Sequence, residues 1–373
     1  MRIAFVAPSL NGGGAERAAV TVLNALDATR YDRSLYLFRR EGPYLRDVAR
    51  EIALVSAASD DRVGRIRHLA AFLRARRPDI VVSFLSYFSV QLAMRLAGSS
   101  ARFVINQQTP VTAFLSDADY AWRKPLRRGI FERVARFAYP RADAIVATSR
   151  GVADDLTANF GVAPAAVATI PNPFDLDALA RAASEPAEIP APAGTPLLVS
   201  AGRLADAKNW PLLIDALRLL KQDVRAHTLI LGQGELEGDI RRRLAEADLA
   251  SDVTLAGFQA NPWKYMARAD AFVLTSRYEG FGNVIVEAMA CGAPVVATAS
   301  PGTRAIIDPE INGLLVEQHD PRAVADALAR VLRDDALRTR LRAAALERSK
   351  AFAVANVAAA YDRLFTGLAG TAA

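Results

Sequence analysis

Short apolar segments alternate with amphipathic stretches along nearly the whole chain, and this alternation constrains the fold more than any other feature. Residues 3–7, 80–85 and 144–148 are short runs rich in branched side chains, which is typical of strands buried on both faces of a sheet. Stretches with the period of a helix lie between them, as at residues 15–26. Strands separated by helices of this length predict βαβ units and a parallel sheet.

The same alternation begins again after a proline-rich stretch. Residues 170–196 contain six prolines in an otherwise Ala- and Glu-rich composition, which is typical of a domain boundary. We therefore predict an α/β protein with two Rossmann-like domains facing across a cleft, in which ligands bind beyond the carboxyl ends of the strands. The predicted parts are an N-terminal domain at 1–172, a linker at 173–195, a second domain at 196–350, and a C-terminal helix at 351–373 that packs back toward the N-terminal domain.

Composition excludes several classes of protein. With 52% hydrophobic and 23% charged residues, the chain can bury large cores and is not disordered. The single cysteine, Cys291, cannot form an internal disulfide, which indicates a reducing compartment. The histidines His68, His227 and His319 are too far apart in sequence for a metal-binding pattern, so we predict no metal and no cofactor. The N-terminal apolar stretch is too short for a signal peptide, and the run 80–94 is too short for a membrane span. We predict a cytoplasmic protein, soluble or peripheral on the inner face of the plasma membrane, with no nucleic-acid partner.

Positive charge is concentrated in the first half of the chain. Residues 1–180 contain 24 Lys and Arg against 17 Asp and Glu, although the net charge of the whole chain is only +6. Residues 122–141 hold seven basic residues against one acid, with apolar residues at helical spacing. Such a helix can lie on an anionic membrane, and an ordinary domain helix with a solvated basic face is an equal alternative. The predicted membrane contacts are Trp122, Arg123, Lys124, Arg127 and Arg128.

The strongest local signal begins where the predicted strand at 271–275 ends. Gly280 and Gly282 allow a tight turn, and a helical pattern follows, which places backbone N–H groups and a positive helix end beside the strand, as phosphate binding requires. Glu279 precedes this helix and Glu287 lies inside it, so both carboxylates can face one pocket. A diphosphate flanked by two sugars accounts for the whole set, because carboxylates prefer sugar hydroxyls to phosphate.

The alternative is that Glu279 caps the helix and Glu287 is a solvated helix residue. A solvated position for Glu287 fits poorly, because the helix around it is apolar almost all round.

A second group of candidate residues follows the strands at 197–201 and 227–231. Arg203 and Lys208 come after the first strand, just ahead of a helix, and two cations there suit a diphosphate leaving group. Two solvated loop cations are the alternative. Gly232 follows the next strand in a weak Gly-x-Gly pattern, and Phe258 is a candidate border of a base pocket; both are equally compatible with ordinary turns.

Gly13 and Gly14 lie in a glycine-rich turn after the first strand, where a backbone can approach an anion closely. The last glycine of a dinucleotide fingerprint is replaced by Arg17, and no acidic residue suited to a ribose ends the next strand. These departures argue against a nicotinamide cofactor.

Together these residues resemble the family-4 retaining glycosyltransferases of the GT-B fold, over nearly the whole chain. The resemblance rests on the glycine-rich first loop, residues 170–175, residues 202–209, Gly232-Gln-Gly and Gly257-Phe, and above all on the E-x7-E pair Glu279 and Glu287. It implies an enzyme that moves a hexose or N-acetylhexosamine from a nucleotide sugar, with a UDP-sugar favoured, to a glycan acceptor. Transfer would retain the anomeric configuration without a metal, with the leaving phosphate taking the acceptor's proton.

The resemblance also implies roles for residues. Residues 1–172 would bind the acceptor and 196–350 the donor, with Glu279, Arg203 and Lys208 catalytic. Arg203 and Lys208 would bind the diphosphate, Glu287 the ribose and Glu279 the transferred sugar. The remaining implied donor contacts are Gly13, Gly14, Gly232, Phe258 and the backbone amides of Phe281, Gly282, Asn283 and Val284.

One departure concerns the acceptor side. Many relatives carry a histidine after an N-domain strand, where this chain has none between residues 104 and 110. Gln107, Gln108 and Thr109 are the alternatives for that place. The glycine-rich start is similar to that of enzymes extending lipid-linked or surface polysaccharides, which predicts a polyprenyl-diphosphate-linked acceptor.

Two other functions remain compatible with the motifs. A UDP-sugar 2-epimerase uses the same fold, but it needs catalytic acids and bases facing the sugar, and no convincing set is present. A non-catalytic protein that binds nucleotide sugars or glycans would not require both cations and both glutamates.

Overall fold

The structure is a computed structural model that describes residues 1–11, 13–59, 61–116, 125–317 and 319–370. Contacts between residues divide this part of the chain into two compact units. The first unit takes Met1–Leu115, residues 125–173 and residues 354–370, and the second takes Ser116 and Phe174–Ala353. Each unit is built around one parallel sheet.

The sheet of the first unit has seven parallel strands in the order β3-β2-β1-β4-β5-β6-β7. The strands are β1 Arg2–Ala7, β2 Asp32–Leu37, β3 Ala53–Ser56, β4 Ile80–Phe84, β5 Arg102–Gln107, β6 Ala144–Ala147 and β7 Val167–Thr169. The order reverses direction between β1 and β4. A crevice for ligands opens at such a reversal, beyond the carboxyl ends of the two strands.

Helices cover both faces of this sheet. They are α1 Gly14–Ala25, α2 Arg62–Arg76, α3 Tyr87–Ala97, α4 Val111–Ser116, α5 Pro125–Ala138, α6 Arg150–Phe160 and, from the end of the chain, α15 Val354–Gly370. One core lies between the sheet and α1 with α15, and the other lies between the sheet and α2, α3, α5 and α6. The helix α15 packs against α1 and places Tyr361 and Phe365 in the first of these cores.

The second unit repeats this plan with six parallel strands in the order β10-β9-β8-β11-β12-β13. The strands are β8 Leu197–Ala201, β9 His227–Leu231, β10 Val253–Leu255, β11 Ala271–Leu274, β12 Val295–Thr298 and β13 Leu314–Val316. The helices are α7 Leu176–Ala183, α8 Trp210–Leu220, α9 Glu237–Glu246, α10 Trp263–Met266, α11 Asn283–Ala290, α12 Pro301–Ile306, α13 Pro321–Arg333 and α14 Asp335–Ser349. Here the reversal falls between β8 and β11.

These sheets confirm the predicted α/β class with two Rossmann-like domains. Two strands were missed: β3 and β7 are short and only partly buried, so their sequences lack the apolar contrast on which the prediction depends. The apolar run at residues 80–94 proves to be two elements, β4 and α3. Leu85 separates them by adopting a left-handed backbone, which a periodicity argument does not reveal.

Candidate active site

Two loops of the second unit meet at the reversal point of its sheet. One follows β8 and carries Arg203 and Lys208, and the other follows β11 and carries Glu279. The backbone N–H of Arg277 donates to the carbonyl of Ala207 over 2.9 Å, and the hydroxyl of Thr275 donates to the carbonyl of Lys208 over 3.2 Å. The reversal point and these hydrogen bonds place both predicted loops at one edge of the sheet.

An ion pair between Lys208 and Glu279 lies at this edge. The Lys208 Nζ is 2.6 Å from Glu279 Oε1, which also accepts a hydrogen bond of 2.7 Å from the hydroxyl of Ser276. The two charged side chains are only 19% and 14% exposed. Gly202 leaves room for the lysine, because a Cβ at residue 202 would lie 2.9 Å from Lys208 Cε. The loops therefore hold one cation and one carboxylate in contact, largely shielded from water.

Glycines on neighbouring loops allow backbones to approach this pair. A Cβ on Gly232 would lie 1.9 Å from the carbonyl oxygen of Gly202, so the loop after β9 packs directly on the loop after β8. A Cβ on Gly302 would lie 2.6 Å from the carbonyl oxygen of Glu279, to which the backbone N–H of Gly302 donates over 3.1 Å. Real Cβ contacts essentially never come this close, so both positions require glycine. Gly232 thus has a structural role in positioning the Lys208 loop.

The helix α11 begins beside the ion pair. Gly282, at φ 101°, is its N-cap residue and provides no side-chain cap. The donors to the Glu279 carboxylate are Lys208 and Ser276, neither of which belongs to α11. The side chain of Phe281 is buried and packs edge-to-face on Phe352, with ring centroids 5.4 Å apart, so it belongs to the core of the second unit.

Glu287 is buried within α11, at 5% exposure, and is not a solvated helix residue. Its Oε2 accepts a hydrogen bond of 3.1 Å from Trp263 Nε1. Burial, with the nearby Glu287 carboxylate as a second cause, raises the pKa of the Cys291 thiol to about 12. A buried carboxylate is costly unless it is hydrogen-bonded, and the Trp263 indole meets part of that cost.

Arg203 and Phe258 are more exposed than the ion pair. A guanidinium nitrogen of Arg203 lies 3.9 Å from Glu235, and both side chains are about half exposed. The backbone carbonyl of Arg203 accepts a hydrogen bond of 3.2 Å from Trp210 Nε1, which anchors the loop while its side chain remains on the surface. Phe258 is 69% exposed.

In the first unit, Gly13 precedes α1 and is covered by Glu16. A Cβ on Gly13 would lie 2.2 Å from Glu16 Oε2, so the Glu16 carboxyl occupies the space that a side chain would need. Burial raises the pKa of this carboxyl. That carboxyl is the end of a flexible side chain and can move aside, so the contact does not by itself require glycine at position 13. Gly14 opens the helix beside it.

The three alternatives after β5 differ in their environment. Gln107 is buried, with its Oε1 accepting from the Tyr139 hydroxyl at 2.8 Å and its Nε2 donating to the Thr109 carbonyl at 2.6 Å. Gln108 forms a reciprocal amide pair with Asn172, at 2.9 and 3.1 Å. Thr109 itself is half-buried. Both glutamine side chains therefore form structural hydrogen bonds, whereas the side chain of Thr109 forms none of this kind within the part of the chain that the structure describes.

The predicted membrane contacts lie mostly beyond what the structure describes. Trp122, Arg123 and Lys124 fall outside the described residues, as does the side chain of Arg127. Arg128 donates to Glu132, one helical turn away, over 2.8 Å. Within the described ranges, no three His, Cys, Asp or Glu side chains are grouped to hold a metal, and no helix is long and apolar enough to cross a membrane.

Three residues of the site were not singled out from the sequence. Ser276 begins the motif that ends at Glu287, and its position directly after β11 was the signal that should have marked it. Trp263 and Gly302 come from α10 and α12, far from the motif in sequence. Only the folded chain brings them to Glu287 and Glu279.

Comparisons with known proteins bear on this site. The model of Glycosyltransferase Family 4 matches residues 12–178, and the model of Glycosyl transferases group 1 matches residues 183–348. One relative, N-acetylgalactosamine-N,N'-diacetylbacillosaminyl-diphospho-undecaprenol 4-alpha-N-acetylgalactosaminyltransferase of Campylobacter jejuni, is 32% identical over 271 residues, covering 72% of this chain and 71% of that protein. The chain belongs to the family-4 glycosyltransferases.

Other glycosyltransferases agree with this assignment. The lipopolysaccharide core biosynthesis glycosyltransferase LpsE of Rhizobium meliloti is 26% identical over 336 residues, covering 88% of each chain. Two solved structures share the GT-B fold. Anabaena Alr3699/HepE, in complex with UDP and glucose, superposes with a TM-score of 0.80 at 19% identity, over 98% of this chain and all of that one. Sucrose-phosphate synthase from Thermosynechococcus elongatus superposes with a TM-score of 0.84 at 21% identity, over the whole of both chains.

Proposed function

We propose that this glycosyltransferase moves a hexose or N-acetylhexosamine from a UDP-sugar to a lipid-linked glycan acceptor, with retention and without a metal. The observation that carries the proposal is the shielded Lys208–Glu279 pair at the reversal point of the second sheet, beside the start of α11. Ligands of such sheets bind at this point. A cation for the diphosphate and a carboxylate for the sugar are therefore already adjacent.

In the proposed reaction, the bond between the sugar's anomeric carbon and the diphosphate oxygen breaks, and a bond to the acceptor oxygen forms on the same face. The acceptor's proton passes to the departing phosphate oxygen, and UDP leaves. Negative charge grows on the diphosphate as the bond breaks. Lys208 and Arg203 stabilise that charge electrostatically, as a divalent cation does in other enzymes. Glu279 holds hydroxyls of the transferred sugar.

The remaining donor contacts follow from the position of α11. Backbone amides of residues 281–284 lie at the positive end of that helix and suit the phosphates. Glu287, fixed by Trp263, accepts hydrogen bonds from the ribose hydroxyls. Gly13 and Gly14 would bring the start of α1 to a phosphate, and the Glu16 carboxyl over Gly13 would have to rotate away first.

Relatives support the choice of substrates. The solved Anabaena protein contains UDP and glucose, or UDP-glucose, which favours a uridine nucleotide. The name of the Campylobacter jejuni relative describes an acceptor carried on diphospho-undecaprenol, which favours a lipid-linked acceptor.

Binding of UDP-, GDP- and ADP-sugars, measured by calorimetry, tests the donor first. We expect UDP-sugars to bind, and Lys208→Ala and Glu287→Ala each to abolish transfer while the circular dichroism spectrum is unchanged. Near-normal transfer by either variant would show that the donor site is misplaced. Incubation with a UDP-sugar alone separates the epimerase alternative, because an epimerised sugar formed without acceptor would contradict transfer. Tight UDP binding with no turnover of any acceptor would favour a binding protein.

We further propose that the first unit docks on an anionic membrane through α3 and α5. Five apolar side chains on these two helices are each between 41% and 56% exposed, and we call them the α3–α5 apolar patch: Leu92, Leu96, Ile130, Val134 and Phe137. The helices are joined by a hydrogen bond of 2.8 Å from Gln91 to the carbonyl of Ala138. Arginines border the patch, with Arg95 and Arg141 both placed over the Phe137 ring. An apolar surface edged by cations matches the interface of an anionic bilayer.

Sedimentation with vesicles tests this docking. We expect the protein to bind phosphatidylglycerol-containing vesicles in low salt and to bind pure phosphatidylcholine weakly, because the attraction to anionic headgroups is screened by salt. Replacing Arg127, Arg128 and Arg136 with glutamate should release the protein from the vesicles. Replacing Arg241, Arg242 and Arg243 of α9 with glutamate changes the net charge equally and should not release it. Equal partitioning of both triple variants would contradict the assignment of this surface.

A further inference from the structure

Leu85 has an unusual backbone at the reversal point of the first sheet. It follows β4, whose five residues are all buried, yet its own side chain is 44% exposed. Its φ of 60° lies in the left-handed region, which a branched, non-glycine residue adopts only at a cost. Such outliers persist where surrounding structure imposes them, and they cluster at functional sites.

Neighbouring groups hold Leu85 in this conformation. The Tyr87 hydroxyl interacts with the backbone of Leu85 and donates over 3.1 Å to the carbonyl of Asn106, at the end of β5. The Asn106 side chain donates in turn to the hydroxyl of Tyr361 on α15 over 2.5 Å. The segment that contains Leu85 is thus tied to β5, and β5 to α15, by hydrogen bonds.

Leu85 lies where ligands of parallel sheets usually bind, at the point where the strand order reverses. β1 and β4 are adjacent, and the helices that follow them lie on opposite faces of the sheet: α1 contributes to one core and α3 to the other. Reversal points of this kind open a crevice beyond the strand ends, so the topology places residues 85–86 at its edge. Ser86 and Thr109 each come two residues after the adjoining strands β4 and β5, so polar residues follow the same strand ends as Leu85.

We propose that Leu85 contacts the apolar C–H face of the acceptor's terminal sugar, an inference that rests on the proposed transfer to a glycan. A pyranose ring has one largely apolar face and a polar rim. A crevice with one exposed leucine and polar groups beside it matches that pattern, since binding sites combine apolar walls with a few placed polar atoms. Leu85 is a substrate-binding residue of the first unit, separate from the donor residues of the second.

Kinetics with a polyprenyl diphosphate carrying one N-acetylhexosamine tests this role. We expect Leu85→Ala to raise the acceptor KM by about tenfold, the usual effect of losing a small apolar contact, with UDP affinity and hydrolysis of the UDP-sugar by water within about twofold of normal. Leu346→Ala is the matched control, because Leu346 is 43% exposed on α14 of the other unit. Leu85→Met should keep the acceptor KM close to normal.

Leu85→Gly separates binding from folding. Glycine relieves the left-handed strain, so its thermal midpoint should not fall below that of the wild type, while its acceptor KM should rise as in Leu85→Ala. A normal acceptor KM in both variants, with transfer intact in the wild type, would overturn the proposal and leave the proposed function standing. A rise in KM accompanied by a lower thermal midpoint in Leu85→Gly would make Leu85 structural and also overturn it. Failure of the wild type to bind or hydrolyse any UDP-sugar would remove the proposed function and this inference together.

Discussion

In the proposed reaction, a diphosphate must compete with Glu279 for Lys208, because the two side chains are already paired. Lys208 Nζ and Glu279 Oε1 are 2.6 Å apart, and both side chains are mostly shielded from water. A hydrogen bond between charged groups contributes about 1.5–3 kcal/mol to stability. Lys208→Met and Glu279→Gln should therefore change the affinity for UDP in opposite directions. Loss of the lysine removes its bond to the diphosphate, which should weaken UDP binding by about 2 kcal/mol, or about 30-fold.

Glu279→Gln should instead tighten the binding of UDP. The substitution frees Lys208 and removes a negative charge beside the diphosphate, and an effect of about 1.4 kcal/mol corresponds to about tenfold. UDP-sugar should not gain in the same way, because the glutamine also loses hydrogen bonds to the sugar, and transfer should fall by at least about 100-fold. Ser276 can still donate to the glutamine oxygen, so the fold should be preserved.

Isothermal titration calorimetry with UDP and with the UDP-sugar, on both single variants and the double variant, measures these effects. The double-mutant cycle isolates the coupling between the two residues, which should exceed about 1 kcal/mol. Lys208→Met removes one partner of the shielded Glu279 carboxylate, so the thermal midpoint of this variant should fall by several degrees. The titrations are therefore done well below that temperature. Weaker UDP binding by Glu279→Gln, with an unchanged circular dichroism spectrum, would refute the competition on which this reasoning depends.

Two further predictions concern the surroundings of this pair. Gly302→Ala should lower the free energy of unfolding by about 1–3 kcal/mol, measured by urea denaturation, because the new Cβ displaces the backbone of Glu279. The same displacement should reduce transfer about 100-fold. Normal activity would mean that the loop tolerates the shift. Cys291 should react with iodoacetamide at pH 8 at least about 100-fold more slowly in the folded protein than in urea, since its pKa is raised to about 12 and the thiolate is the reactive form. The raised pKa also means that this group's contribution to stability is complete below its ordinary pKa and is lost as the pH rises toward 12. Glu287→Gln should speed the reaction of the folded protein by removing the second cause of the shift.

Periodicity and motif spacing were sufficient to predict much of this protein. Most of the buried strands, including β8, β9 and β11, were located within a residue or two, because strands covered on both faces form apolar runs that helical segments do not resemble. Arg203, Lys208 and Glu279 were expected in the loops that follow two strands of the second sheet, and the structure places them in those loops; their role as ligands stays a prediction. Strand positions and the residues that follow them depend on local sequence, and motifs are patterns of local sequence.

Tertiary structure decided which of these groups interact and what else the site contains. The spacing of Glu279 and Glu287 did not reveal that the first pairs with Lys208 while the second is buried against Trp263. Nor did it show that Gly232 is required for backbone packing, or that Leu85 breaks an apolar run by a left-handed turn. Strand order, which brings β8 beside β11 and β1 beside β4, is set by long-range packing of whole elements. Contacts between distant segments depend on that order, and no local pattern of residues encodes it.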